Sequence, residues 1–209
     1  MITGVVSTMK FRQVVQASML GVFLTLSLAA CDQNTELMEL IIDEEKEAIE
    51  QSLAAGTDVN ETNAYGWTPL MHAARVGNLE VFNLLLEKGA DVHIQDTNGR
   101  TALMKATLAG NLEIAKILLQ HSADVNTLDE MHRSALHWTV SRGRFEIAKL
   151  LLEHGADTTI KTDDGWTPEM LAQKEGEVEI YDLLRRKRGV KSIVVEEQPE
   201  LSAAAVPTD

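Results

Sequence analysis

Gly66-Trp67-Thr68-Pro69-Leu70 is the first complete version of a phrase that returns three times along the chain. The later versions keep Thr or Ser at the third position, and they are Gly99-Arg100-Thr101-Ala102-Leu103, His132-Arg133-Ser134-Ala135-Leu136 and Gly165-Trp166-Thr167-Pro168-Glu169. Each step is 33 residues long. A fixed period of this length is typical of a stack of similar structural units, which usually bind other proteins. The sequence therefore predicts a function that lies on a surface.

One unit, taken over residues 63–95, reads as a turn followed by two short helices. Thr68 suits the N-cap and Pro69 the first position of a helix that Gly77 would end. Asn78 would cap a second helix, whose buried stripe consists of Val81, Phe82, Leu85 and Leu86. Because two short helices cannot bury both of their faces alone, neighbouring units must stack.

These segments resemble the ankyrin repeat. The resemblance rests on Thr68-Pro69-Leu70, Ser134-Ala135-Leu136-His137, Leu84-Leu85-Leu86-Glu87-Lys88-Gly89-Ala90-Asp91-Val92 and Leu150-Leu151-Leu152-Glu153-His154-Gly155-Ala156-Asp157. It implies an all-α solenoid of about five stacked repeats over about residues 34–188, each a helix-turn-helix with a hairpin loop, and a concave face. The first and last repeats diverge, since Glu44 stands at the Gly77 position and Glu169 at a core Leu position. We expect them to be caps with one wet face.

The N-terminus has the layout of a secretory signal, in which Lys10 and Arg12 precede an uncharged, mostly apolar stretch over residues 14–30. Leu28-Ala29-Ala30-Cys31 closely resembles the lipobox of bacterial lipoproteins. That resemblance implies cleavage before Cys31 and lipid attachment to its sulfur and its new amino group. In that family, Asp32 after the cysteine favours the inner membrane.

Three parts follow: a signal peptide over residues 1–30 that is removed, a repeat domain over residues 31–188, and a flexible tail over residues 189–209. Met9-Lys10 is an alternative start of the signal. The tail combines Pro, Ala, Ser and acidic residues without a helical stripe, a composition typical of mobile segments.

The formal net charge is −13, and without the first 30 residues it becomes −15. So acidic a chain argues against nucleic acid as a partner. Hydrophobic residues make up 44% of the chain and aromatic residues only 4%, which predicts an aliphatic core. Cys31 is the one cysteine, so the chain can form neither an intrachain disulfide nor a multi-cysteine zinc site.

Candidate catalytic chemistry is weak. His121 and His154 occupy equivalent positions in adjacent repeats, but packed helices stand about 8–10 Å apart, too far for one metal without further ligands. His137 fills the slot in which the ankyrin resemblance implies hydrogen bonds between repeats. No nucleophile pairs with it in a recognisable motif, and no Gly-rich phosphate loop is present. We expect no enzyme activity, cofactor, metal or small-molecule substrate.

The resemblance also implies that a partner protein contacts the hairpin tips and the exposed side of each first helix, on the concave face. Those positions carry Tyr65, Trp67, His72, Arg75, Asn98, Arg100, Lys105, Leu108, Met131, Arg133, Trp138, Arg142 and Trp166. Trp, Tyr and Arg are enriched in binding hot spots. Trp67 and Trp166 have an alternative role in bracing their own loops, whereas Trp138 is the stronger contact candidate. The five basic residues of this set would suit an acidic patch on the partner.

Together these features predict a monomeric, lipid-anchored protein that faces the periplasm and binds another protein without catalysis. One alternative is an immunity protein that neutralises a secreted antibacterial toxin or lipase. Another resembles periplasmic ankyrin proteins that support an oxidative-stress enzyme such as catalase.

Overall fold

The computed structural model describes residues 34–189. The predicted signal peptide, the lipidation site Cys31, Asp32 and the tail from residue 190 onward lie outside the described residues. Within the described range the chain forms ten α-helices and no strand. None of these helices has the length and apolar character needed to cross a membrane.

The ten helices form five consecutive pairs. They are α1 (Glu36–Ile42) with α2 (Lys46–Ala54), α3 (Pro69–Val76) with α4 (Leu79–Glu87), α5 (Ala102–Ala109) with α6 (Leu112–Gln120), α7 (Ala135–Ser141) with α8 (Phe145–Glu153), and α9 (Pro168–Glu175) with α10 (Val178–Lys187). The first helices pack in the order α1, α3, α5, α7 and α9, and the second helices α4, α6, α8 and α10 pack likewise. The predicted all-α solenoid of five repeats is confirmed.

The helix starts follow the predicted capping residues. The Thr68 hydroxyl accepts a hydrogen bond from the backbone N–H of Met71 at 3.2 Å, and the Asn78 side chain accepts one from Val81 at 3.0 Å. Asn111 behaves differently, because its side-chain amide donates to the carbonyl of Ala74 at 2.8 Å. It therefore links the start of one repeat's second helix to the end of the preceding repeat's first helix.

Three residues other than glycine have a positive φ within residues 34–189: Glu44 at 59°, Ser122 at 64° and His132 at 53°. Each stands where the 33-residue period places glycine in other repeats, at the positions of Gly77, Gly89 and Gly99. Non-glycine residues in this region are strained. The stacked fold therefore keeps the left-handed backbone even where the sequence has lost its glycine.

His137 is a structural residue, as the resemblance implied. Its Nδ1 accepts a hydrogen bond from the backbone N–H of Ser134 at 3.2 Å, and its Nε2 lies 3.2 Å from the carbonyl oxygen of Trp166 in the next repeat. Burial lowers the pKa of His137. A neutral ring that accepts at Nδ1 and donates at Nε2 joins the fourth and fifth repeats.

Candidate protein-binding face

Each hairpin loop is organised by its first side chain. The Asp96 carboxylate oxygen Oδ1 accepts hydrogen bonds from the backbone N–H groups of Asn98 and Arg100, both at 2.9 Å. Asn63 and Asp129 accept the equivalent bonds in their own loops. A short polar side chain that caps its own turn in this way fixes the loop backbone.

Neighbouring loops are joined by backbone hydrogen bonds. The N–H of Thr97 donates to the carbonyl of Tyr65 at 2.9 Å, and the N–H of Glu130 donates to that of Asn98 at 3.0 Å. The N–H of Asp163 donates to the carbonyl of Met131 at 3.2 Å. The loops thus stand in a row above the first helices, and we call the surface formed by the loops and the helices α3, α5, α7 and α9 the hairpin face.

The predicted partner-binding residues divide into three groups by exposure. Tyr65, Arg75, Asn98, Met131 and Arg142 are exposed, and Trp67, Arg100, Leu108, Arg133 and Trp166 are half-buried. His72, Lys105 and Trp138 are only 3%, 2% and 8% exposed. The expectation that these last three lie on an exposed surface was therefore wrong. They occupy the same helical position, 33 residues apart, and are covered by loop side chains.

Lys105 is buried in an ion pair with the third loop. Its ammonium nitrogen lies 2.6 Å from Oδ2 of Asp96, and their side chains are 3% and 0% exposed. The same nitrogen lies 3.6 Å from the ring centroid of Trp67, a cation–π contact. Burial lowers the pKa of Lys105, and the Asp96 carboxylate opposes that change.

Trp138 is covered by two arginines. The guanidinium carbons of Arg100 and Arg133 lie 4.8 and 4.3 Å from its ring centroid. Their Nε atoms lie 3.9 and 3.7 Å from Oδ2 of Asp129, which is too long for a hydrogen bond but close enough for electrostatic attraction. Asp129 therefore compensates a pair of guanidinium groups stacked on one tryptophan.

His72 stays neutral at pH 7. Its ring centroid lies 4.9 Å from that of Trp67, and neither ring nitrogen has a hydrogen-bond partner among the described residues. Burial, aided by the charges of Arg75 and Lys105, lowers the pKa of His72 to about 4. The imidazole therefore serves as a packed ring here.

The predicted basic row is thus compensated in part. Asp96 and Asp129, which the sequence interpretation did not single out, lie against three of its five cations: Asp96 against Lys105, and Asp129 against Arg100 and Arg133. Their signal in the sequence is the 33-residue spacing itself, since each opens a loop nine residues before Lys105 or Trp138. The face offers the half-buried Trp67 and Trp166 and paired charges to a partner.

A pocket of about 480 Å³ opens at the last junction of the hairpin face. Its walls come from the fourth and fifth loops and from the ends of α7 and α9. They include Met131, Arg133, Ser141, Thr162, Asp163, Asp164, Trp166, Leu171, Lys174 and Glu175. Three predicted contact residues, Met131, Arg133 and Trp166, are brought together there.

The two histidines at equivalent positions in adjacent repeats do not line this pocket. His121 and His154 are the exposed C-cap residues of α6 and α8, and Nδ1 of His154 lies 2.9 Å from the carbonyl oxygen of Leu150. Within residues 34–189 no group of three or more His, Cys, Asp and Glu side chains is placed to hold a metal ion.

Comparison with protein families gives a match to the model described as ankyrin repeats (3 copies). It matches residues 26–129, 82–162 and 128–194, which together span most of the chain. No curated protein matches the chain significantly.

Proposed function

Because the chain belongs to the ankyrin-repeat family, whose members are typically non-catalytic interaction modules, we propose that it binds another protein. The proposal also includes a lipid anchor, which would hold the protein at the periplasmic side of a bacterial inner membrane. The observation that carries the binding role is the row of loop tips. Tyr65 and Met131 are 51% and 54% exposed there, beside tryptophans held in place by cations. Large exposed side chains on a rigid support favour binding, because little conformational freedom is lost.

The anchor rests on the lipobox-like segment that ends at Cys31. Two or three acyl chains hold a protein stably on a membrane, whereas one alone binds marginally. The first helix begins at Glu36, five residues after Cys31, a stretch that reaches at most about 18 Å when extended. The first repeat would then stand close to the bilayer surface.

The anchor is tested by metabolic labelling with a fatty-acid analogue in a bacterial host. The wild-type chain should carry the label and fractionate with the inner membrane, and Cys31→Ser should lose the label. Equal labelling of both chains would sink the lipoprotein assignment.

The binding role is tested by site-specific photo-crosslinking. A photoreactive phenylalanine analogue at Tyr65 or Met131 should crosslink a protein in intact cells. The same analogue at Lys149, which is exposed on α8 away from the loops, serves as the matched control. Crosslinks that form from Lys149 but not from the loop tips would place the partner on another face.

The identity of the crosslinked protein then separates the two narrower roles. A secreted toxin or lipase encoded beside this chain would assign an immunity role. A catalase encoded beside it would assign support of an oxidative-stress enzyme.

A further inference from the structure

We infer that the pocket at the last junction of the hairpin face receives an arginine side chain of the bound protein. This inference rests on the proposed binding function and names the chemistry of the partner at one point. The origin, the lining and the charge of the pocket all support it.

The pocket arises from a break in a repeated contact. At the junction of the second and third repeats, Lys105 lies against the ring of Trp67 at 3.6 Å. At the next junction Arg100 lies over Trp138 at 4.8 Å. At the last junction the equivalent residues are Arg133 and Leu171, and the shorter Leu171 leaves the space unfilled.

A second substitution enlarges the same space. Ser141 lines the pocket at the position that Arg75 holds in the second repeat. The resulting volume of about 480 Å³ falls within the range of sites that hold small ligands, about 300–1,000 Å³. It has room for one long side chain and part of its neighbour.

The lining suits a flat cation with an apolar stem. Trp166, Leu171 and Met131 supply apolar surface, and the Lys174 ammonium already lies 4.8 Å from the Trp166 ring centroid. A guanidinium stacks on a tryptophan face better than an ammonium does, and it also pairs with carboxylates through two parallel hydrogen bonds. A partner's arginine would therefore take the place of Lys174 on the ring.

The charge of the pocket points the same way. Three carboxylates, Asp163, Asp164 and Glu175, line it against two cations, Arg133 and Lys174, so that negative charge is in excess. Asp163 already contacts Nδ1 of His132 at 2.8 Å. Among residues 34–189, neither Asp164 nor Glu175 has an ion-pair partner within 4.0 Å. An arginine would compensate these carboxylates. A glutamate or phosphate would be repelled, and a phenylalanine would leave them uncompensated.

The test uses the full chain in detergent micelles with its three tryptophans replaced by 5-fluorotryptophan. Fluorine NMR then reports each indole separately, with assignments from single Trp→Phe variants. The probe is a blocked Leu-Arg-Leu tripeptide, and the comparison peptides carry citrulline, Glu or Phe in place of Arg. The arginine peptide should shift the Trp166 resonance saturably while leaving that of Trp67 unchanged, and citrulline and Glu should give no shift.

Two variants locate the effect. Asp164→Asn with Glu175→Gln should weaken arginine-peptide binding by about tenfold or more, as expected for the loss of charge-assisted pairs. Glu113→Gln with Glu146→Gln removes the same charge from exposed sites on the second helices and should leave the affinity unchanged. Circular dichroism confirms that both chains are folded. No Trp166 shift with the arginine peptide, or an equal shift with the citrulline or Phe peptide, overturns the inference.

The partner identified by crosslinking separates this inference from the proposed function. If that protein binds the wild type and the pocket variant equally, the pocket assignment fails and the binding role stands. If no protein crosslinks at the loop tips, the binding role fails, whatever the tripeptide result.

Discussion

Two sets of equivalent positions in the repeats are buried for different reasons. One set, in the second helices, is the same residue in the second to fifth repeats: Leu85, Leu118, Leu151 and Leu184, each at most 1% exposed. The other set, in the first helices, differs in every repeat: His72, Lys105 and Trp138, which are buried, and Leu171, which is half-buried. The first set belongs to the hydrophobic core, where leucine fills the space. The second set lies next to the loops, whose own residues also vary.

The loop residue nine positions earlier varies together with this second set in three of the four repeats. Asn63 precedes neutral His72, Asp96 precedes the cation Lys105, and Thr162 precedes apolar, half-buried Leu171. The exception is Asp129, which precedes the uncharged Trp138 and lies instead near the guanidinium groups of Arg100 and Arg133. In the third repeat the two residues form a direct ion pair. The difference between the two sets teaches that a buried position can hold a charged residue where the loop beside it supplies the counter-ion.

The largest effect should come from the constant set. Leu118→Ala removes a fully buried side chain and should lower the free energy of unfolding by about 4 kcal/mol, the usual cost of such a cavity. Urea denaturation followed by circular dichroism measures it. Leu112→Ala, at a position 39% exposed on the same helix, is the control and should cost about 1 kcal/mol or less. Equal losses in the free energy of unfolding for Leu118→Ala and Leu112→Ala would contradict the greater importance of the buried position.

The variable first-helix positions should be sensitive to a substitution that changes only one member of a loop–helix pair. Asp96→Asn keeps an oxygen that can accept the loop hydrogen bonds, as Asn63 does, but leaves the Lys105 ammonium buried without its counter-ion. We expect a loss of about 3 kcal/mol in the free energy of unfolding.

The double variant Asp96→Asn with Lys105→His copies the second repeat into the third. It should recover most of that loss, and a double-mutant cycle measures the coupling. If the effects of the two substitutions on the free energy of unfolding simply add, the loop residue and the helix residue are not coupled.

His72 should make stability depend on pH. The unfolded chain binds a proton at this histidine below its ordinary pKa of about 6.5, whereas in the folded chain the pKa is lowered to about 4. The part of the free energy of unfolding that depends on a neutral His72 is therefore present in full above pH 6.5 and is lost as the pH falls toward 4. Between pH 7 and pH 5 this amounts to about 2 kcal/mol.

The measurement compares urea denaturation of the wild type and His72→Leu at pH 7 and pH 5. The variant takes the leucine found at Leu171 and should lose about 2 kcal/mol less on acidification. Groups outside the site, including His137, titrate in both chains and cancel. Identical pH dependence in the two chains would show that His72 is protonated in the folded state as easily as in water.

The smallest effect should come from the positions at which a residue other than glycine keeps the positive φ that glycine has in other repeats. Glu44→Gly should raise the free energy of unfolding by about 0.5–1 kcal/mol, because glycine adopts a φ of 59° without strain. Gly66→Ala should do the reverse, since its Cβ would lie 2.9 Å from the backbone nitrogen of Thr97. Differential scanning calorimetry resolves both. Destabilisation by Glu44→Gly would mean that the side chain of Glu44 outweighs its strain.

Capping residues and core residues could be predicted because their reasons are local. Thr68, Asn78 and the leucine stripe act within one helix or between identical neighbours. The role of Asn111 could not be read in the same way, because its hydrogen-bond partner lies 37 residues earlier. The burial of Lys105 and Trp138 was missed for a similar reason, since the residues that cover them come from other repeats.

By itself the sequence determined the repeat, its period and the family, because each unit is specified by contacts within about 33 residues. Only the tertiary structure decided which of the predicted partner-binding residues are exposed. It placed Asp96 and Asp129 against three of the five basic residues of the row, and it opened a pocket where Leu171 follows Trp138 in the series. The physical reason is that stacking brings together side chains 33 residues apart, and their fit depends on pairs that no single repeat contains.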